Sequence, residues 1–93
     1  MAIKYNKSTL KKIEEIFKNA GFILRYERGQ FRSGYCILRD KRIIIINRFF
    51  ETKARVEILM DLILQVELDE STMNDQSKQI LKAIEKSYSE RVN

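Results

Sequence analysis

The stretch Tyr35-Cys36-Ile37-Leu38-Arg39-Asp40-Lys41-Arg42-Ile43-Ile44-Ile45-Ile46-Asn47 decides how this chain folds. Its four consecutive isoleucines are β-branched and favour a strand, which spans Arg42 to Asn47. Gly34 to Arg39 reads as a second strand, and Asp40-Lys41 as the tip of the hairpin between them. Setting Arg39 opposite Arg42 puts Tyr35 and Ile37 on one face with Ile44 and Ile46. Cys36 and Leu38 then share the other face with Ile43 and Ile45. Both faces are apolar, whereas a sheet covered on one side alternates apolar with polar. The pattern therefore predicts a cover over the second face, from a helix or from another subunit.

Upstream, Phe22 to Glu27 reads as another strand, with Arg28-Gly29-Gln30 as its turn. Before it, Leu10, Ile13, Ile16, Phe17 and Ala20 repeat at helical spacing and predict a helix over 8–20. Asn6 or Ser8 can cap its start, and Gly21 can stop it. Downstream, Thr52 opens a helix over 52–67. There Val56, Ile58, Leu59, Met60, Leu62, Ile63, Leu64 and Val66 leave only the stripe Glu57, Asp61 and Gln65 polar. A helix so apolar is central in its domain, a subunit interface, or both. Thr72 and Asp75 have capping-box spacing ahead of a last helix over 74–91, whose stripe is Ile80, Leu81, Ile84, Tyr88 and Val92. The expected architecture is one α+β domain over 1–93, in the order α-β-β-β-α-α, with a three-stranded antiparallel meander packed with helices.

Composition narrows the chemistry. The 93 residues suit one domain, and 44% hydrophobic with 33% charged residues is a globular balance. The chain has no histidine and one cysteine. Histidine-dependent triads and imidazole acid–base work are therefore excluded, as is a disulfide within one chain. The longest aliphatic run is Ile43 to Ile46, far short of a membrane span of roughly 20 residues. With no signal-like start and a single cysteine, the expected location is cytoplasmic, without membrane contact.

Charge is uneven. The net charge is +5, yet residues 1–56 carry +9 and residues 57–93 carry −4. Arg25, Arg28, Arg32, Arg39, Lys41, Arg42 and Arg48 crowd the sheet region beside Tyr26, Phe31 and Tyr35. Arginine among aromatics suits single-stranded nucleic acid, which offers phosphates to charge and bases to flat rings. Arg25, Tyr26, Arg28, Arg32, Tyr35, Arg39 and Arg42 are the candidate contacts. No RNP-type or GXXG motif accompanies them. The plainer reading is that these charges keep a sheet edge and its loops soluble. A third is that the basic half meets the acidic half of a neighbouring chain.

Other chemistry is thin. Gly29 and Gly34 have the spacing that begins a phosphate loop, but Tyr35-Cys36 follows where Gly-Lys-Ser/Thr is needed. Cys36 lies mid-strand and reads as small apolar filler. Glu57 and Asp61, one turn apart, could divide acid and base roles or share a divalent cation. They read better as the wet stripe of a buried helix, or as partners of Arg48, Lys53 or Arg55. Glu67, Asp69, Glu70 and Asp75 lack EF-hand spacing and suit a helix start. No catalytic, cofactor or metal residue is assigned.

One arrangement resembles a known family. The strand Arg42 to Asn47, a short loop, and the helix Arg55-Val56-Glu57-Ile58-Leu59-Met60-Asp61-Leu62-Ile63-Leu64 resemble small zincin metallopeptidases, whose helix carries HExxH. Here the two histidine positions fall on Met60 and Leu64, and the glutamate position on Asp61. Apolar side chains cannot ligate zinc. The resemblance thus implies a scaffold with its metal site erased, and argues against hydrolase activity. The stretch Tyr26 to Phe31 with Gly34-Tyr35-Cys36 is also similar to short bacterial proteins without an assigned function. The sequence leads to a non-enzymatic domain that binds another protein or itself, with Ile44, Ile46, Leu59 and Ile63 at the interface. Its alternative is nucleic-acid binding by the Arg/Tyr-rich sheet.

Overall fold

The isoleucine strand lies at the centre of the sheet. The computed structural model describes residues 3–28 and 35–92, with the backbone alone for 35–37, 39 and 91–92. Three strands, β1 (Ile23–Glu27), β2 (Tyr35–Leu38) and β3 (Ile43–Asn47), are ordered β1-β3-β2. β2 pairs antiparallel with β3, from Tyr35 opposite Ile46 to Leu38 opposite Ile43. β1 pairs parallel with β3, from Ile23 beside Ile43 to Glu27 beside Asn47.

The expected antiparallel meander is therefore wrong. β1 and β2 are not neighbours, so no tight hairpin joins them, and the sheet is mixed. A physical reason lies in composition. A central strand has both edges paired and suits a near-continuous aliphatic sequence, which β3 has in its four isoleucines ahead of Asn47. β1 carries Arg25 and Glu27, both exposed, and charged residues belong on an edge. The element order also departs from α-β-β-β-α-α, because one-turn 3-10 helices stand at Arg39–Lys41 and Glu70–Thr72. Of the turn expected at Arg28-Gly29-Gln30, Gly29 and Gln30 lie outside the described residues, as do Phe31, Arg32 and Gly34.

The β2–β3 connection differs from a two-residue tip. After the 3-10 turn, Arg42 takes a positive φ of 53°. That region is costly for a side chain, and no glycine is available there. The Arg42 guanidinium compensates. It donates to the Ala20 carbonyl at 2.6 Å and sits 4.4 Å over the Phe22 ring. The hairpin turn is thereby tied to the end of the first helix.

Helix α1 (Lys7–Asn19) starts under Asn6, whose side chain accepts the Thr9 N–H at 2.9 Å. Gly21, at φ +92°, turns the chain out of the helix into β1. Leu10, Ile13, Ile16 and Phe17 are buried, and Phe17 meets Phe22 edge-on at 5.8 Å. Helix α2 (Thr52–Ile63) is shorter than its hydrophobic run: the Gln65 and Val66 N–H groups both return to the Leu62 carbonyl in a closing turn. Helix α3 (Asp75–Val92) is not capped by a Thr72–Asp75 box. Asn74 accepts the Ser77 N–H at 2.8 Å, and the Thr72 hydroxyl donates to Asp69 instead.

One core joins these elements. It takes Ile44 and Ile46 from β3, Val56, Leu59, Met60, Leu62 and Ile63 from α2, and Ile80, Leu81 and Ile84 from α3. α2 is thus a central helix, with Glu57 and Asp61 on its exposed side and Gln65 exposed in the turn that follows it. This corrects the expected interface. Ile44, Ile46 and Leu59 are fully buried and Ile63 nearly so within a single chain, so they build the core and offer no surface to a partner. Among the described residues, no helix is long and apolar enough to cross a membrane.

Candidate functional site

Strand alternation sorts the sheet into two faces. Leu24, Tyr26, Ile44 and Ile46 face the helices and belong to the core or pack against it. Ile23, Arg25, Glu27, Ile43 and Ile45 lie on the other face, with Leu38 opposite Ile43. None of these belongs to the core cluster. Ile23 is 52% exposed and Leu38 41%, while Ile43 and Ile45 are only partly covered. Arg25 and Glu27 stand two residues apart here, with guanidinium and carboxylate 3.8 Å from one another. Both are about half exposed, so this ion pair contributes little to stability.

Of the candidate contacts singled out from sequence, the four with described side chains, Arg25, Tyr26, Arg28 and Arg42, do not form one surface. Arg25 and Tyr26 point to opposite faces. Tyr26 is half-buried among the helices, and its hydroxyl donates to Glu14 of α1. Burial, then this bond and the Glu14 charge, raise its pKa well above the ordinary tyrosine value, while Arg55 acts in the opposite sense. Arg42 is spent on Ala20 and Phe22 where β3 begins. Arg28 follows β1 at the far end of the sheet, roughly 15 Å away by strand rise. Arg32 lies outside the described residues, and Tyr35 and Arg39 are described by backbone alone.

A second cluster forms where β1 and β3 end and α2 begins. Asn47 closes a turn by accepting the Phe49 N–H at 3.0 Å. Arg55 reaches back from α2 and fixes this loop, donating from Nε to the Phe50 carbonyl at 2.7 Å and from a terminal nitrogen to the Arg48 carbonyl at 3.0 Å. The same guanidinium lies 4.4 Å over the Tyr26 ring. A chain of contacts thus runs from Glu14 through Tyr26 and Arg55 to the Arg48–Phe50 backbone. The loop so held leaves Phe49 69% exposed, with the Arg28 guanidinium 5.4 Å over its ring. Beside it lies an open groove of about 500 Å³, bordered by Arg48, Phe49, Glu51, Lys53 and Arg55 among others.

The sequence reading counted Arg28 and Arg48 among the basic residues but gave Phe49 no role. An aromatic pair just after a strand-ending Asn was the available signal. Glu57 and Asp61 are exposed and border a hollow of about 170 Å³ with Tyr5 and Tyr88. Of the positions aligned with HExxH, Met60 is buried, whereas Asp61 and Leu64 are exposed. Among the described residues, no group of three or more Cys, Asp or Glu could hold a metal ion. No protein-family model, curated protein or solved structure matches the chain.

Proposed function

We propose that this protein is a non-enzymatic cytoplasmic binding module that associates through the uncovered face of its sheet, with a second copy of itself as the partner. The observation that carries this reading is the apolar face formed by Ile23, Leu38, Ile43 and Ile45. Among the described residues, none on this face belongs to the core cluster. Apolar surface left in water favours burial by roughly 25 cal/mol per Å². A contiguous apolar patch commonly marks an interaction site.

The charges on this face suit a copy of itself. Arg25 and Glu27 carry opposite signs on the same strand. In a two-fold arrangement each residue meets the same patch on its mate, so Arg25 of one copy can face Glu27 of the other. In place of Ile44, Ile46, Leu59 and Ile63, this interface takes Ile43 and Ile45 from β3 with Ile23 from β1 and Leu38 from β2.

Sedimentation equilibrium across about 1–200 µM tests the proposal. A reversible dimer is expected, and it should dissociate in the double variant Ile23→Lys/Leu38→Lys. Both side chains are exposed, so the variant should keep the wild-type circular dichroism and melt as a monomer. A wild-type protein that stays monomeric throughout that range would refute the association reading.

A further inference from the structure

We infer that the cluster at the carboxyl ends of β1 and β3 is a binding surface for single-stranded nucleic acid, with Phe49 as a base-stacking platform and Arg28, Arg48 and Lys53 as phosphate contacts. The argument is independent of self-association, because these residues do not belong to the uncovered sheet face.

Three observations converge. First, cations arrive from three separate segments: Arg28 after β1, Arg48 after β3, and Lys53 in the first turn of α2. All three are exposed. Second, the one strongly exposed aromatic side chain of the described residues stands among them. Phe49 is 69% exposed, and the Arg28 guanidinium lies over its ring at 5.4 Å. A guanidinium over a ring fixes a flat surface on which a base can stack, and every base has such a face. Third, the loop is held. Arg55 binds two of its carbonyls and Asn47 a third backbone group, so Phe49 is presented by a tied turn.

The shape selects the partner. An aromatic residue that enters a lipid surface belongs on a projecting apolar tip with its polar face turned away. Here Phe49 borders a groove whose other walls include Arg48, Glu51, Lys53 and Arg55. A groove of cations beside a flat ring fits a chain that alternates phosphate with base. The location agrees with the general tendency of ligands to bind beyond the carboxyl ends of parallel strands. Glu51 opposes an anion there and limits affinity.

Fluorescence anisotropy with labelled 12-nucleotide single-stranded DNA and RNA of mixed sequence tests the inference, at 50 and 200 mM KCl. Three phosphate contacts predict roughly 20-fold weaker binding at the higher salt. Phe49→Ala should weaken binding roughly 5- to 100-fold. Lys53→Glu should weaken it further and flatten the salt dependence. Glu51→Gln should tighten it a few-fold, and Arg25→Glu on the sheet face should leave it unchanged. Melting curves of each variant verify folding. The inference is overturned if Phe49→Ala binds like wild type, if Arg25→Glu abolishes binding, or if no oligonucleotide binds at 50 mM KCl. It is also overturned if the protein binds vesicles of 30% phosphatidylserine in phosphatidylcholine through Phe49 and ignores the oligonucleotides.

Discussion

Ile44 and Ile45 are adjacent and chemically identical, yet they live in different environments. Ile44 is sealed in the core with Ile46, while Ile45 and Ile43 sit on the face that the helices leave uncovered. The difference shows that residue type alone does not define the core. The strand pleat turns successive side chains to opposite faces, and the packing of α1, α2 and α3 decides which face is dry. The half of the isoleucine run that stabilises the fold is therefore the half unavailable for binding.

Single substitutions along this strand can break the comparison. Ile44→Ala should cost about 2–5 kcal/mol, because it removes fully buried methyl groups and leaves a cavity. In a protein of this size that is enough to lower the melting temperature by many degrees. Ile45→Ala should cost the monomer under about 1 kcal/mol while weakening self-association. Urea titrations at low protein concentration measure the first quantity, and sedimentation the second. Equal losses of monomer stability at positions 44 and 45 would show that both faces are covered.

The turn beside the sheet sharpens the same point on a smaller scale. Arg42→Ala should cost about 1–2 kcal/mol, since the strained φ remains while the contacts to Ala20 and Phe22 are lost. Arg42→Gly should be more stable than Arg42→Ala by about 1 kcal/mol, because glycine adopts φ 53° freely. If alanine and glycine behave alike, backbone strain at Arg42 is negligible.

Tyr26 gives the smallest effect and a pH signature. Its pKa is raised in the folded chain, first by burial and then by Glu14. Above the ordinary tyrosine pKa of about 10 the unfolded chain loses this proton while the folded chain retains it. Stability from this group is thus present below pH 10 and falls as the pH rises beyond it. Tyr26→Phe should lose the bond to Glu14 at neutral pH and show a shallower alkaline decline in melting temperature. An unchanged alkaline slope would show that Tyr26 titrates normally.

Much of the local structure was legible. The first helix, expected over 8–20 and found over Lys7–Asn19, and its Gly21 stop follow from spacing and residue type, while the structure chooses Asn6 over Ser8 as the cap. So does the pairing of Tyr35 with Ile46 through Leu38 with Ile43, since neighbouring strands and a short connection constrain the register. The end of α2 was less legible, because the apolar pattern continues through Val66 after the helix has closed at Ile63. The candidate binding cluster was legible only as scattered charge. Arg28, Arg48 and Lys53 are far apart in sequence, and nothing local says that β1 and β3 end side by side.

The sequence by itself determined the α and β segments, a short polar cap ahead of α1, the hairpin register and the chemistry excluded by the absence of histidine. Those properties depend on residues within a few positions of each other. Only the tertiary structure decided that β1 lies parallel to β3, that one face of the isoleucine strand is covered, and that Arg28 meets Phe49. These depend on contacts between distant segments. There, side-chain burial against the helices outweighs the local preference for a meander, and period-two alternation cannot say which face the helices will choose.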